Sequence, residues 1–583
     1  MERKIVSPEF SVSPQIDPAD VGLAAAQGVR AIVCNRPDGE GDQPSSETIR
    51  EEAERLGLEF RYLPVPSGQV TDEAARGFGK ALETLPGPVL AYCRSGTRSM
   101  TLWALAKAPR LSPDAIVAAA QGAGYDLDGL RPRLEAAARL GEANKPDASG
   151  PGAPPAHRYD VVIVGGGAGG IAAAASLLKR RPRLDIAIVE PQSIHNYQPG
   201  WTLVGGGVFD RRDTLKPMAS VMPAGVHWIR AAAAQFSPER REISLEDGAR
   251  LAYRALVVAP GLKLDWDAIP GLKETLGRNG VTSNYLFGMA PYTWELVQTL
   301  REGRAIFTQP PMPIKCAGAP QKAMYLACDH WNREGRLGRL DIQFCNAGGV
   351  LFGVEDYVPA LMNYVNAYGI KLAMNETLVS VDGEAKTAVF SRKTDAGTEE
   401  VTKAFDMLHA VPPQRGHDFI ARSPLANAAG WVEVDPATLR HVHFADVYGL
   451  GDACSAPNAK TAAAVRKQAP VVAENVIATL EGGEPRAIYD GYGSCPLTVE
   501  RGKIVLAEFG YGGKLLPSFP DWLIDGKQPT RAAWFLKEKL LPPVYWHAML
   551  KGREWLAAPE ILPRTPTPHA AGKALAETAG KAG

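Results

Sequence analysis

The stretch YDVVIVGGGAGG, residues 159–170, decides the fold. Val161 to Val164 form an unbroken apolar run, the pattern of a strand buried on both faces, and the chain then turns through glycines into the helical IAAAASLLKR of 171–180. Gly165, Gly167 and Gly170 hold the spacing at which a tight turn lets backbone approach a pyrophosphate, with Ala168 and Gly169 inside the turn. A second apolar strand, RLDIAIVE, ends at Glu190, 20 residues beyond Gly170, where a carboxylate accepts ribose hydroxyls. Two later segments return to this sheet: YRALVVAPG at 253–261, and VYGLGD at 447–452, which carries Asp452 to a strand end. Together they mark one complete dinucleotide fingerprint, of the FAD type.

A second unit of this kind should bring its own glycines near 303–326, but that stretch reads GRAIFTQPPMPIKCAGAPQKAMYL. Pro310, Pro311 and Pro313 bar helix and strand ladder ahead of Cys316, while Gly318 and Pro320 restrict the turn behind it. The nicotinamide fingerprint is replaced by a cysteine held in a rigid turn where a helix should begin. The seven cysteines (Cys34, Cys93, Cys316, Cys328, Cys345, Cys454 and Cys495) are odd in number and contain no CxxC pair. That argues against a disulfide framework, and no histidine stands at metal-ligand spacing to them, so no structural zinc is expected. Spacing leaves three partners open for Cys316. Cys345 follows the apolar LDIQF, Cys454 lies among small residues two beyond Asp452, and Cys495 lies in YDGYGSCP after the last Rossmann helix. Cys328 reads as helix filler.

The first 141 residues alternate short apolar runs with helical stretches, the rhythm of a small α/β domain. The strand PVLAYC ends in Cys93-Arg-Ser-Gly-Thr-Arg98, and the helix TLWALAK follows. A strand, a short loop and a helix start surround a cysteine sulfur with backbone N–H groups, which stabilises thiolate and cradles an oxyanion. Residues 142–158 are rich in Pro, Gly, Ala and Ser and read as a linker.

Composition excludes several classes. Lys plus Arg and Asp plus Glu are 64 each, which argues against a nucleic-acid binder relying on bulk charge. The N-terminus lacks a signal-peptide apolar core, and no run reaches the roughly 18 apolar residues of a spanning helix. From Asp521 onward, Trp522, Trp534, Trp546 and Trp555 alternate with Lys527, Arg531, Lys537, Lys539, Lys551 and Arg553. Pro542 and Pro543 are expected to cut this stretch into two short amphipathic helices that anchor the chain on a membrane surface from the cytoplasmic side. Truncation before Asp521 should then release the protein with its flavin still bound.

Four segments carry a resemblance covering Tyr159 to Pro559: YQPGWTLVGGG at 197–207, PIKCAGAPQK at 313–322, GDACSAPNAKTAAAV at 451–465 and YDGYGSCPLTVERGKIVLAEF at 489–509. In these the chain resembles the sulfide:quinone oxidoreductases of the flavin disulfide reductase superfamily. The resemblance implies FAD as cofactor, sulfide and quinone as substrates, Cys316 and Cys495 as the redox pair with Cys454 as runner-up, and Gln198, Lys322 and Lys460 as cofactor contacts. With CNRPDGE at 34–40 and AYCRSGTRS at 91–99, the first domain resembles the protein tyrosine phosphatase-like family. It departs from the phosphatases in two ways: four residues rather than five separate Cys93 from Arg98, and LPVPSGQ at 63–69 lacks an acidic residue. The shorter loop is similar to that of rhodanese-type sulfurtransferases, which implies a persulfide on Cys93 and a small thiol or sulfite as final acceptor.

The expected architecture is therefore α/β. It comprises a phosphatase-like or sulfurtransferase domain at 1–141, the linker, and an FAD-binding Rossmann domain at 159–270 and 401–490. A second, degenerate Rossmann domain at 271–400 carries Cys316, a redox-cysteine and membrane-anchor region spans 491–562, and a disordered tail occupies 563–583. The alternatives are an NAD(P)H-dependent flavin disulfide oxidoreductase and a redox-sensing regulator. An oligomer is compatible with the sequence.

Overall fold

Two units divide the chain, Met1–Pro154 and Pro155–Gly583. The computed structural model describes residues 2–563 except 8, 42, 109, 110, 112, 144–156 and 458. Most of the expected linker and nearly all of the expected disordered tail lie outside the described residues. The linker's two ends are structured: Ala143 closes the helix Arg131–Ala143, and the strand His157–Val164 already begins at His157.

The first unit is built on a five-stranded sheet in the order Lys4–Ser7, Phe10–Ser13, Val89–Tyr92, Ala31–Cys34, Glu59–Tyr62. Only the first pair is antiparallel. Side chains alternate across the central strand, so Val89 and Ala91 join Phe10, Phe78 and Trp103 on one face while Leu90 and Tyr92 join Ile32 and Ile49 on the other. A strand buried on both faces has to be apolar throughout, which is why VLAY was legible. The chain leaves it at Cys93 and enters the helix Thr97–Lys107 through Gly96, whose φ of 85° suits glycine.

In the second unit, the first sheet sets Val226–Ile229, Ile186–Val189, His157–Val164 and Arg250–Val258 side by side, with Val447–Gly449 parallel to the last of these. The two segments expected to return to the dinucleotide sheet both do so. A second, wholly parallel sheet orders Val281–Thr282, Met407–His409, Gly303–Gln309, Leu340–Asn346 and Lys371–Met374. This corrects a boundary, since Met407–His409 falls in the stretch assigned to the dinucleotide domain at 401–490. A three-stranded antiparallel excursion over residues 376–404 precedes it. The chain therefore goes back to an interior position of the second sheet, beside the central strand Gly303–Gln309, where all three residues are buried, before it crosses over.

The C-terminal stretch is a further correction. Gly493–Glu500 pairs antiparallel with Lys503–Phe509, and a continuous helical segment then runs from Arg531 to His547. Pro542 and Pro543 do not cut it. They fall in the first turn of the α-helical part Leu541–His547, directly after a π-helical turn at Leu536–Leu540, where a missing N–H costs little. Among the described residues no helix is long and apolar enough to cross a membrane, and no cluster of His, Cys, Asp or Glu could hold a metal ion.

Candidate active site

A cavity of about 560 Å³ in the second unit runs from the glycine turn to the cysteine turn. At the first end two glycines are obligatory. Gly165 has φ 104°, and a Cβ there would lie 2.6 Å from the Ala259 carbonyl oxygen; a Cβ on Gly170 would lie 1.8 Å from the Gly165 oxygen. Stripped of side chains, the turn opens its backbone and the start of the helix Ala168–Arg180 to the cavity. Glu190 lines the same end, its carboxylate accepting from Gly166 N at 2.8 Å and Gln192 N at 2.7 Å, with burial raising its pKa. Asp452 lines the far side, also raised by burial. These residues fit a dinucleotide cofactor.

At the other end the chain crosses Cys316 with φ 51°, in the left-handed region that a residue with a Cβ seldom adopts. Hydrogen bonds hold it there. Cys316 N donates to the Lys460 carbonyl at 2.9 Å, while the Cys316 carbonyl accepts from Ala319 N at 2.7 Å and the Tyr285 hydroxyl at 3.2 Å. The helix Ala319–Arg333 begins just beyond, and its Gly318 entry lets the strand bearing Cys495 come close: a Cβ on Gly318 would lie 2.5 Å from the Cys495 sulfur. The two sulfurs are 3.8 Å apart as free cysteines, against about 2.05 Å in a disulfide.

Of the three partners that spacing left open, the structure brings Cys495 to Cys316. Cys454 is buried against the Gly451 carbonyl, with its pKa raised by burial. Cys345 sits in the second sheet beside the Lys403 ammonium, with burial pushing it up to about 12. Cys328 is buried in its helix, also raised. Inert thiols of this kind pack as small apolar side chains.

Lys322, expected as a cofactor contact, lines the cavity and also faces the cysteine. Its Nζ stands 3.1 Å from the Cys316 sulfur. Hydrogen bonding from Cys495, opposed by burial and reinforced by the Lys322 ammonium, holds Cys316 well below the ordinary thiol range, while Cys495 is raised. Burial would lower Lys322, but the two sulfurs raise it. Lys460 lines the cavity with its ammonium turned to the Asp452 and Cys454 carbonyls at 2.8 and 2.9 Å, so it ties the late Rossmann turn together. Gln198 accepts a hydrogen bond from Lys315, a lysine that the motif reading passed over although it adjoins Cys316.

Lys537 was missed for a physical reason. Among Lys527, Lys539 and Lys551 it reads as one more surface cation, yet it is 5% exposed, lines the cavity and lies close enough to Cys316 and Cys495 to interact with both. The π turn at Leu536–Leu540 changes the face on which it emerges. Burial and then Lys322 lower its pKa to about 7.

The tail also forms part of the groove. Tyr545, Trp546, Met549 and Leu550 belong to the dinucleotide domain's core, and Tyr545 and Met549 line the cavity. Burial lowers His195 to about 4, so it is neutral; its Nδ1–H donates to the Gly166 carbonyl at 3.2 Å and its Nε2 accepts from the Tyr545 hydroxyl at 2.7 Å. Further along, Glu554 pairs with Lys179 and Arg180 of the glycine-turn helix.

In the first unit, Cys93 is buried at the strand end and Arg98 stands on the first turn of the helix. The Arg98 guanidinium donates to Glu40 at 2.5 and 2.9 Å and to the Val65 carbonyl at 2.6 Å. Burial would lower its pKa, but Glu40 and Cys93 raise it.

Two outcomes test this geometry. Lys322→Met should raise the Cys316 pKa and slow its alkylation by iodoacetamide at pH 7 by roughly tenfold or more, read by peptide mass spectrometry of the reduced protein. An unchanged rate would mean that Cys495 alone stabilises the thiolate. Contrary to the expectation from sequence, truncation before Asp521 should reduce the dinucleotide retained per chain after gel filtration. Full retention would remove the tail from the groove.

Comparison with known proteins gives the family. Residues 2–110 match the family described as beta-lactamase hydrolase-like protein, phosphatase-like domain, and residues 159–305 match pyridine nucleotide-disulphide oxidoreductase. The mitochondrial sulfide:quinone oxidoreductase of Dictyostelium discoideum is 41% identical over 387 residues, covering 66% of this chain and 84% of that protein. The Mus musculus protein of the same name is 37% identical over 396 residues, covering 68% and 87%. A beta-lactamase hydrolase-like protein of Xylella fastidiosa is 32% identical over 125 residues, 21% of this chain and 29% of that protein. The solved sulfide:quinone oxidoreductase of Aquifex aeolicus shares the fold, with a TM-score of 0.57 at 18% identity over 68% of this chain and 92% of that one. These relatives imply a flavin as the cofactor. The chain belongs to the sulfide:quinone oxidoreductase family and carries, in addition, an N-terminal phosphatase-like domain.

Proposed function

We propose that the chain uses FAD to oxidise sulfide at Cys316 and Cys495, reduces quinone at a membrane face, and passes the sulfane sulfur to Cys93. The observation that carries this reading is the placement of the lysine-paired Cys316, which lines the cavity that also holds the glycine turn, 3.8 Å from Cys495. In the oxidised protein the two sulfurs form a bridge. Hydrosulfide attacks the Cys495 sulfur, the bridge breaks, and a new sulfur–sulfur bond leaves Cys495 as a persulfide that keeps the hydrosulfide proton. Cys316 departs as the thiolate because Lys322 makes it the better leaving group. A thiol then takes the outer sulfur and returns its proton to Cys495, and loss of two electrons and of the Cys495 proton from the pair re-forms the bridge. FAD, when bound, supplies the two-electron acceptor between the cysteines and quinone.

Quinone access is supported by the tail. Trp555 and Leu556 line the cavity and are 64% and 70% exposed, so it opens among apolar side chains. Trp522 (85% exposed), Phe535 and Leu540 are exposed on the same stretch, along with the neighbouring Lys527, Arg531 and Lys551. Apolar side chains mixed with cations suit peripheral docking on anionic lipid. Cys93 is proposed as sulfur acceptor because it shares a polypeptide with Cys495, which keeps the two at roughly millimolar effective concentration.

Cys316→Ser and Cys495→Ser should each abolish bleaching of the flavin by sulfide, whereas Cys454→Ser and Cys345→Ser should keep most of it. A dead Cys454→Ser beside an active Cys495→Ser would move the redox partner to the late Rossmann loop. After turnover with sulfide and a short-chain quinone, mass spectrometry should find Cys93 persulfidated. An unmodified thiol at Cys93 would separate the first domain from sulfur chemistry.

A further inference from the structure

Among the described residues four lysines are buried: Lys322, Lys403, Lys460 and Lys537. Three have partners. Lys322 faces the Cys316 sulfur, Lys403 pairs with the Glu376 carboxylate at 2.5 Å, and Lys460 donates to two carbonyls. Lys537 makes no hydrogen bond and no ion pair with any described residue, although it lines the cavity and lies close to both redox cysteines. Its neighbour Lys539, two positions along the π turn Leu536–Leu540, stays outside and pairs with Glu538 at 3.0 Å.

The groups that act on Lys537 are the Lys322 ammonium from the helix Ala319–Arg333, the Cys316 sulfur from its turn and the Cys495 sulfur from the strand Gly493–Glu500. The three carboxylates of the cavity are engaged elsewhere. Glu190 accepts from Gly166 N and Gln192 N, and Asp452 lies beside Lys460 and Lys315. Glu508 accepts from the Tyr492 hydroxyl, from Ser518 Oγ at 2.6 Å and from Ser518 N at 3.0 Å. An ammonium that is buried beside a like charge, with no carboxylate to hold it, sheds its proton readily. Burial and Lys322 bring Lys537 to about 7, so above neutral pH it stands in the cavity as a free amine.

Release of sulfur from Cys495 has a proton to move at each end. The acceptor attacks as thiolate, yet a cysteine thiol of pKa about 8.5 is mostly protonated at pH 7. At the other end, hydrogen bonding with Cys316 and burial raise Cys495, which makes its thiolate a poor leaving group. We propose that Lys537 is the proton shuttle of this step: as the free amine it takes the proton of the acceptor thiol, and as the ammonium it hands that proton to the Cys495 sulfur. The thiolate bonds to the outer sulfur, and the bond between that sulfur and Cys495 breaks with its electron pair left on Cys495. The proton from Lys537 ends there, the lysine is neutral again, and no oxidant or reductant is consumed. The inference rests on Cys495 as the persulfide carrier, which persulfide found on Cys495 after sulfide alone tests separately.

The test uses full-length holoenzyme carrying Cys93→Ser, so that an added thiol is the acceptor. It is loaded with sulfide in the absence of quinone and mixed with glutathione, and acid-quench mass spectrometry follows loss of the outer sulfur from Cys495. With Lys537 in place the rate should rise with pH through about 7. Lys537→Met should slow transfer at pH 7 by at least about tenfold and move the rise towards about pH 8.5, where the acceptor thiol ionises unaided. Lys537→Arg keeps a cation that cannot give up its proton, so it should be as slow, and it carries the test if the methionine variant does not fold. An unchanged rate and profile in Lys537→Met, or their recovery in Lys537→Arg, would overturn the assignment, the first by removing the base and the second by showing that a fixed charge suffices.

Discussion

The second unit's chemistry depends on one contact, the Lys322 ammonium 3.1 Å from the Cys316 sulfur. A buried lysine with no counter-charge would surrender its proton, and a buried thiolate with no cation would take one. Each stabilises the ionised form of the other, and removal of one partner from such a pair costs roughly 3–5 kcal/mol. Three segments meet to make it, the first two contiguous in the chain and the third remote. The turn at 313–318 supplies the sulfur in its left-handed conformation, the helix Ala319–Arg333 supplies the lysine, and Lys460 supplies the carbonyl that accepts the cysteine's N–H. Glycine at 318 then admits the strand with Cys495.

What was legible in the sequence follows from how local each requirement is. Gly165 and Gly170 are demanded by contacts within or beside one turn, and Glu190 by the strand that pairs with it, so spacing along the chain suffices. The central strand of the first unit was legible because burial on both faces leaves no polar position. Cys495 was not legible in this way, because its distance to Cys316 is set by a strand 179 residues later in the chain; only family resemblance singled it out. Lys537 was hidden by a π turn, and Glu40 by the fact that its partner lies on another strand's loop. Met407–His409 was misassigned because so short a buried strand carries no signal of which sheet it joins.

The tail shows how the same composition serves two purposes. Read as a pattern, its aromatic and basic residues describe a surface helix. In the fold they divide: Tyr545, Trp546, Met549 and Lys537 turn inward, while Trp522, Phe535, Trp555 and Leu556 remain outside. The inward set reaches the glycine turn through a single neutral imidazole, His195, whose two nitrogens join Gly166 to Tyr545.

That imidazole bridge has a consequence for biogenesis. Every other wall of the groove is contributed by residues before 520, and residues 536–556 close it. During synthesis the ribosome therefore delivers an open trough first and its final wall last. In the finished fold that wall is held by Tyr545 on His195 and by Glu554 on Lys179 and Arg180. The wall that completes the groove is thus the last part of it to be made.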